Sequence, residues 1–407
     1  MMTTNGTAMP GEHAPRIQQL DFIRGIAVLG IFLMNIVALG LPAAVIDNPV
    51  AMDPVSSADL WVWGLSQVFA EQKFIAMFGM LFGAGILLFA ERAEARQLPP
   101  RALHFRRMGW LALFGLLHAW LLWYGDILFP YAVAGCLAWL WRAKPVASLI
   151  RWGVALYLIP ALLLYLVHLS LPQMDPADLA DLAAFWSPEA EQLAAEIAAL
   201  QGGLAERIAY RHEFILSLQT SGMVFGTLWL VLGYMLLGMA LFKLGVLSLQ
   251  VPRTTYYKLL GWLLPGLALS AYGVYYQVEA EFSVLVSFAG PLWNYLGSLM
   301  TALGYIGILG LVALRMANAA WVQRVKAVGR MAFSAYIMQT LIGVILFQYI
   351  GLFGLLQRSH LILIVMLVWA VQLVFLPLYL QHYRQGPLEW VWRRLTYAGT
   401  RRVDTSV

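Results

Sequence analysis

Residues 22–41 read FIRGIAVLGIFLMNIVALGL. One charge, Arg24, stands near the start of a stretch that is otherwise uncharged and mainly apolar. A helix rises about 1.5 Å per residue, so about twenty residues cover the roughly 30 Å hydrocarbon layer of a bilayer. In hydrocarbon every backbone N–H and C=O must be paired within the segment, which makes helix the expected element. Nine more apolar stretches follow, at 74–89, 108–124, 127–141, 146–171, 221–246, 259–276, 287–314, 332–354 and 361–383. The expected fold class is all-α, a polytopic membrane bundle of about ten helices with both termini on one side.

Composition and charge agree with that reading. Hydrophobic residues make up 61% of the 407 and charged ones 12%, where soluble domains carry about 25% charged residues. Marking the spans places all but four of the 26 Lys and Arg at one end of the bundle. These include Arg16 and Arg24, the run Arg92, Arg96, Arg101, Arg106 and Arg107, and Arg142, Lys144 and Arg151. Lys243, Arg253 and Lys258 follow, then Arg315, Arg324, Lys326 and Arg330, and the tail from Arg384 to Arg402. The positive-inside rule makes this end cytoplasmic, in a membrane crossed many times. The other end holds Asp47, Asp53, Asp59, Asp175, Asp178, Asp181, Glu189, Glu191, Glu196, Glu279 and Glu281, against Lys73, Arg207, Arg211 and Arg358. The net charge of +5 is therefore a sign of topology and not the footprint of a nucleic-acid binder.

The chain divides into a leader (1–20), a five-helix half (21–171), an extracytoplasmic segment (172–220), a second five-helix half (221–383) and a basic tail (384–407). Residues 172–220 are polar and acidic, yet Leu193, Ile197, Leu200, Leu204 and Ile208 keep helical spacing. Helices lying over the external mouth are expected there, either as a solvated connector or as a lid. Ala38-Leu39-Gly40 faintly resembles a signal-peptide cleavage site, and the first span is expected to be retained. The single Cys136 lies in an apolar span, which leaves no disulfide or thiolate metal site. No P-loop, CxxC pair, HExxH element or solenoid repeat occurs. Gly79 and Gly83, and Gly290, Gly297 and Gly304, present small residues along one helix face and predict close helix contacts.

Polar groups inside the spans carry the functional reading, since each is costly in hydrocarbon. Counting along the helices places Asn35 and His118 at one depth, in the external third, with Asn294 near it and Gln372 near the midplane. A shared outward polar cavity accounts for all four. His118 is suited to general-base work or proton relay, or is an imidazole satisfied by a neighbouring helix. Asp126, after the tight turn Tyr124-Gly125-Asp126, is expected to cap the next helix or to fold back and orient His118. Glu71 and Lys73 stand at the external mouth, as site residues or as a mutual surface pair. At the other end Asp21 is an N-cap candidate for the first span, with Arg24 on its face. Asp21, Arg24, Arg106 and Arg107 are also the candidates for a cytoplasmic phosphate-bearing cofactor. Glu389 is expected to pair with Arg393 or Arg24.

Several segments together resemble the YeiB-like family of uncharacterised bacterial inner-membrane proteins. They are Arg16, 20–25 (LDFIRG) with Gly30 and Asn35, 81–85 (LFGAG), 115–118 (GLLH), 125–128 (GDIL) with Tyr131-Ala132, 328–332 (VGRMA) and 386–393 (GPLEWVWR). More remotely, the chain is similar to transmembrane acyltransferases such as the heparan-glucosaminide acetyltransferase, chiefly through Asp21, Arg24 and Gly25. That similarity implies acyl-CoA as a cytoplasmic donor and an extracytoplasmic hydroxyl or amine acceptor, as a small molecule, glycan or lipid. It departs in one respect: residues 42–73 hold no histidine, where the acetyltransferase carries its own. His118, aided by Asp126, would have to serve. Asn35, Glu71, Lys73, Tyr131, Asn294 and Gln372 are then the candidate acceptor-site residues. A solute or lipid transporter or flippase, for which the same cavity and histidine would serve, and a noncatalytic scaffold stay open. No metal is expected, since no two ligands stand at i, i+4 in a span; membrane lipids are the surrounding partner, and homo-oligomerisation is left open.

The charge asymmetry makes a direct topological prediction. In a Cys136→Ser background, a cysteine at Ala195 should react with a membrane-impermeant thiol reagent on intact cells, and one at Gln97 should not; the reverse pattern would invert the assignment.

Overall fold

The computed structural model describes residues 17–52 and 54–400. Arg16 and the rest of the leader before residue 17, Asp53, and the end of the basic tail with Arg401 and Arg402 lie outside the described residues. No strand occurs among the described residues.

Helix α1 (Gln18–Gly40) is the central post. Beyond the short α2 (Ala43–Asp47), α3 (Ser57–Phe69) opens with a capping box between Ser56 and Asp59 and leads through a tight turn into α4 (Lys73–Glu94). Helix α5 (Pro100–Leu117) widens into a π turn at His118–Leu122, and α6 (Leu128–Ala138) returns beside it. Helix α7 (Val146–Ser170) leads to three helices of the acidic segment, α8 (Pro176–Trp186), α9 (Ala190–Gln201) and α10 (Leu204–Gln219). Then come α11 (Leu228–Lys243), α12 (Arg253–Leu260), α13 (Leu263–Glu279), α14 (Ala289–Met316), α15 (Ala320–Arg330), α16 (Ala332–Val344), α17 (Arg358–His382) and α18 (Pro387–Tyr397).

Among the described residues, eight helical runs are long and apolar enough to cross a membrane, against the ten or so expected. The two that fall short are α5 and α6. Leu128–Trp141 spans only about 21 Å at 1.5 Å per residue, and α5 carries Arg101, Arg106 and Arg107 in its first half. They form one hairpin about the turn at 123–127, so the number of crossings stays even either way. The sequence also suggests a loop over 42–73, whereas α2 and α3 together take up 18 of its 32 residues.

Most of α1 is buried, against α4, α15, α16 and α17, while α7 and α17 leave most of their apolar surface open. Leu363, Leu367, Val371, Val374 and Leu378 of α17 form one exposed stripe. Exposed apolar area of that extent faces lipid in a chain of this composition. The expected small-residue contacts are present. A Cβ on Gly83 would lie 1.9 Å from the Met235 carbonyl oxygen, and one on Gly238 would lie 1.8 Å from that of Met80, so α4 and α11 touch backbone to backbone. Gly25 and Gly329 do the same for α1 and α15, with Cβ positions 2.1 Å from Val325 O and 1.8 Å from Asp21 O. The stripe Gly290, Gly297 and Gly304 accepts α13.

Helices α8 to α10 close the acidic end. Asn48 Nδ2 donates to Trp186 O (2.9 Å), Ala43 N to Glu196 Oε1 (3.1 Å), and Gln201 Nε2 to Phe353 O (2.9 Å). The segment is thus tied to the loops after α1 and α16.

A matched pair of substitutions tests the packing. Gly83→Ala should lower thermal stability in detergent by more than about 1 kcal/mol, because the methyl group has no room. Gly85→Ala, where nothing lies within 4 Å, should be neutral or gain up to about 1 kcal/mol through helix propensity. Equal effects would contradict the close contact.

Candidate functional site

The basic end holds a cavity of about 380 Å³. Six arginines from five segments reach it: Arg24 of α1, Arg92 of α4 and Arg96 just beyond it, Arg107 of α5, Arg330 of α15 and Arg393 of α18. One carboxylate, Glu389, is among the lining residues. Further in, the walls are Val28, Ile31, Phe78, Leu81, Phe82, Tyr131 and Tyr336. A cationic mouth above an apolar depth suits an amphiphilic anion, phosphate outward and carbon inward.

Local contacts explain how the mouth is built. The Arg107 guanidinium lies over both Phe89 (5.1 Å) and Trp392 (4.3 Å), while Trp392 Nε1 donates to Arg107 O (2.9 Å). Glu389 spends its oxygens on the start of α16, accepting from Phe333 N (2.8 Å), Ser334 N (3.1 Å) and Ser334 Oγ (2.5 Å). It therefore pins α18 to the first turn of α16, where helix amides need an acceptor. The expectation of a bond to Arg393 or Arg24 had left that role out. Arg106 is a further correction. It turns away from the cavity and donates to Thr396 O (3.2 Å) and Ala398 O, which fastens the far end of α18. Asp21 does not line this cavity. It lies 3.0 Å from Arg24 Nη1 and borders a separate hollow of about 290 Å³ with Gln18 and Lys326. Nor is it an N-cap, because α1 begins three residues earlier at Gln18. Its role here is to position Arg24.

Behind the Tyr336 wall, outside the cavity lining, lies His118, 2% exposed. Its Nδ1 is 3.0 Å from Asp126 Oδ1 and its Nε2 3.1 Å from Thr340 Oγ1. Asp126 also accepts from Leu128 N (3.1 Å) and Phe129 N (2.8 Å). Both expected roles of Asp126, cap of α6 and orienting partner of His118, are thus filled at once. A carboxylate accepts, so Nδ1 carries a hydrogen toward Asp126, and in the neutral imidazole the Nε2 lone pair faces Thr340. Tyr336 belongs to both places: it lines the cavity, and its ring centre is 5.2 Å from that of His118. Tyr131 lines the cavity too, donating to Ile75 O (3.2 Å).

The other candidates do not gather into one outward cavity. Lys73 Nζ donates to Gln67 O (2.7 Å) and to Asn294 Oδ1, and Asn294 Nδ2 donates to Gln67 Oε1 (3.1 Å), so these three close on one another. Lys73, expected at the surface with Glu71, is 0% exposed; the Glu71 backbone oxygen accepts from Ser298 (3.2 Å). Gln372 joins α17 to α16, donating to Ala335 O (3.0 Å) and accepting from Gln339 (2.9 Å). Asn35 is half-buried on α1, with no hydrogen bond to either network. Equal depth did not mean equal bearing around the bundle.

All four cations assigned to the acidic end are buried: Arg207, Arg211 and Arg358 are each 3% exposed, beside Lys73. Arg211 Nη1 donates to Leu122 O (3.2 Å), the last residue of the His118 π turn, and Arg207 Nη1 to Gln348 Oε1 (3.0 Å). Arg358 Nη2 holds Val45 O and Ile46 O (3.3 Å). The cap is thus braced onto the turn that carries the histidine. Thr340, Tyr336, Arg92, Arg96, Arg330 and Arg393 were not singled out as site residues. Arg330 and Arg393 lay inside the family-like segments 328–332 and 386–393, which was the available signal.

The fold and this site define a polytopic helical membrane protein with an arginine-mouthed cavity running toward a buried histidine–aspartate pair. The chain belongs to the YeiB-like family. It is 34% identical to the uncharacterised protein YeiB of Escherichia coli strain K12, over 93% of this chain and 95% of that one. It is 29% identical to the uncharacterised protein YxaH of Bacillus subtilis strain 168, over 94% of each. Residues 241–399 match the family described as protein of unknown function (DUF418). No solved structure matches the chain.

Burial raises the carboxyl of Glu196 above its ordinary value of 4.5, opposed by the bond from Ala43 N. Glu196 therefore holds its proton more tightly in the folded cap than in the unfolded chain, and its contribution favours the fold at acid pH and fades as pH rises through the raised value. Glu196→Gln, which keeps an acceptor for Ala43, should make thermal stability less dependent on pH as pH rises above the ordinary value of 4.5. A steeper dependence would contradict this.

Proposed function

We propose that the chain is a membrane acyltransferase whose donor, an acyl-CoA, enters the arginine-mouthed cavity from the cytoplasmic side. The acyl group passes to a hydroxyl or amine of a small-molecule, glycan or lipid acceptor. The carrying observation is that one cavity joins a cationic mouth to an apolar depth whose wall, Tyr336, touches the His118 ring. Donor phosphates would meet Arg24, Arg92, Arg96 and Arg107, and the pantetheine and acyl carbons would lie along Phe78, Phe82 and Tyr131. His118 would take the acceptor proton, with Asp126 holding its tautomer and favouring the imidazolium that forms. The basic end faces the cytoplasm in this reading, and the membrane is the bacterial inner one.

A transporter is the second reading. It is favoured by the cap of α8 to α10 over the acidic end, opposite a cavity at the basic end. That is the shape of a carrier open on one side only.

Binding and turnover separate the two. Purified protein should bind acyl-CoA, and Arg96→Ala, at the mouth, should weaken binding about tenfold, as loss of a charged hydrogen bond does. His118→Ala should leave binding nearly intact and lower CoA release by on the order of 10² to 10⁴. Solute uptake that depends on His118 with no acyl-CoA consumed would favour the carrier.

A further inference from the structure

Thr340 is a buried hydroxyl to which sequence reading gave no role. It lies on α16 one turn beyond Tyr336 and is 1% exposed. A threonine in an apolar helix ordinarily satisfies its hydroxyl on the carbonyl four residues back. Here that contact, to Tyr336 O, is 3.4 Å, whereas His118 Nε2 is at 3.1 Å. The histidine is in turn held at 3.0 Å by Asp126, whose carboxylate is fixed by the Leu128 and Phe129 amides. Three separate elements, α16, the π turn after α5 and the turn before α6, contribute one group each. Hydroxyl, imidazole and carboxylate in a row are the arrangement that turns an alcohol into a nucleophile.

We propose that Thr340 is the nucleophile that carries the acyl group between donor and acceptor, an inference that rests on the acyltransferase reading. Thr340 Oγ1 attacks the thioester carbonyl carbon as its proton passes to His118 Nε2. The C–S bond breaks, its electron pair leaves on sulfur, and His118 returns the proton to give the CoA thiol and an ester on Thr340. The acceptor hydroxyl or amine then attacks the ester carbonyl and gives its proton to His118. The C–O bond to Thr340 breaks, and that proton restores the hydroxyl. The sum is transfer of an acyl group, with no oxidant or reductant. Access requires the Tyr336 ring, which lines the cavity and lies against His118, to turn aside. A covalent carrier also removes the need for donor and acceptor to be present together, which suits a donor arriving through the basic end.

The test uses the full-length protein in detergent, with whichever of acetyl-, succinyl- or palmitoyl-CoA binds best, and no acceptor. The expected result is a burst of CoA thiol stoichiometric with protein and a hydroxylamine-labile acyl group on the peptide containing Thr340. Thr340→Val, of nearly the same shape, should bind the donor and lose both burst and label; Thr340→Ser should keep both. Wild-type CoA release with the acyl group on another residue, with none retained, or with burst surviving in Thr340→Val, overturns the Thr340 assignment and leaves the acyltransferase standing. Absence of both donor binding and CoA release in wild type overturns the acyltransferase reading and this inference with it.

Discussion

In a hydrocarbon layer a polar side chain has no water to turn to, and the bundle is organised around that constraint. His118 is served on both nitrogens, Asn294 and Lys73 close on Gln67, and Gln372 closes on Gln339. Each such closure joins helices distant in sequence: α5 to α16, α4 to α14, and α16 to α17. Backbone contacts at Gly83, Gly238, Gly25 and Gly329 bring the helices near enough for these short reaches. Polar pairing and small-residue packing are thus two parts of one arrangement.

The two ends of the bundle use cations in opposite ways. At the acidic end four cations are drawn inside and spend their donors on carbonyls and amides; among them Arg211 braces the cap of α8 to α10 against the π turn of His118. At the basic end six arginines converge on a cavity with one glutamate among its walls, and that glutamate is committed to the start of α16. Cations at the acidic end hold the structure together, and the proposed reading assigns the basic end to an anionic donor. Helix α18 completes the cavity wall: it supplies Arg393 and Trp392 and is fastened at both ends, by Glu389 and Arg106.

Span positions, the small-residue contacts and the double role of Asp126 were legible in the sequence, because they depend on helical rise, residue size and local turn chemistry. Bearing around the bundle was not. Asn35 and His118 share a depth but not a network, since rise along a helix says nothing of which neighbour it will meet. Arg106 and Arg107 are adjacent in sequence and about 100° apart on a helix; one ties down α18 and the other faces the cavity. Helix α18 carried a signal that went unused, a proline at its first turn after Gly386 with Glu389 close behind. Thr340 was hidden because a hydroxyl in an apolar run is usually satisfied by its own helix, and only the tertiary approach of His118 sets it apart.

The central claim is that an amphiphilic anion enters through the arginines and places its reactive carbon beside Tyr336 and His118. The most direct measurement is a cryo-electron microscopy map of the protein with a non-hydrolysable thioether analogue of acyl-CoA. The account predicts phosphate density among Arg24, Arg92, Arg96 and Arg107, with the thioether sulfur within the cavity next to Tyr336. Density for the analogue at the acidic end, or an unoccupied cavity at saturating analogue, would contradict it.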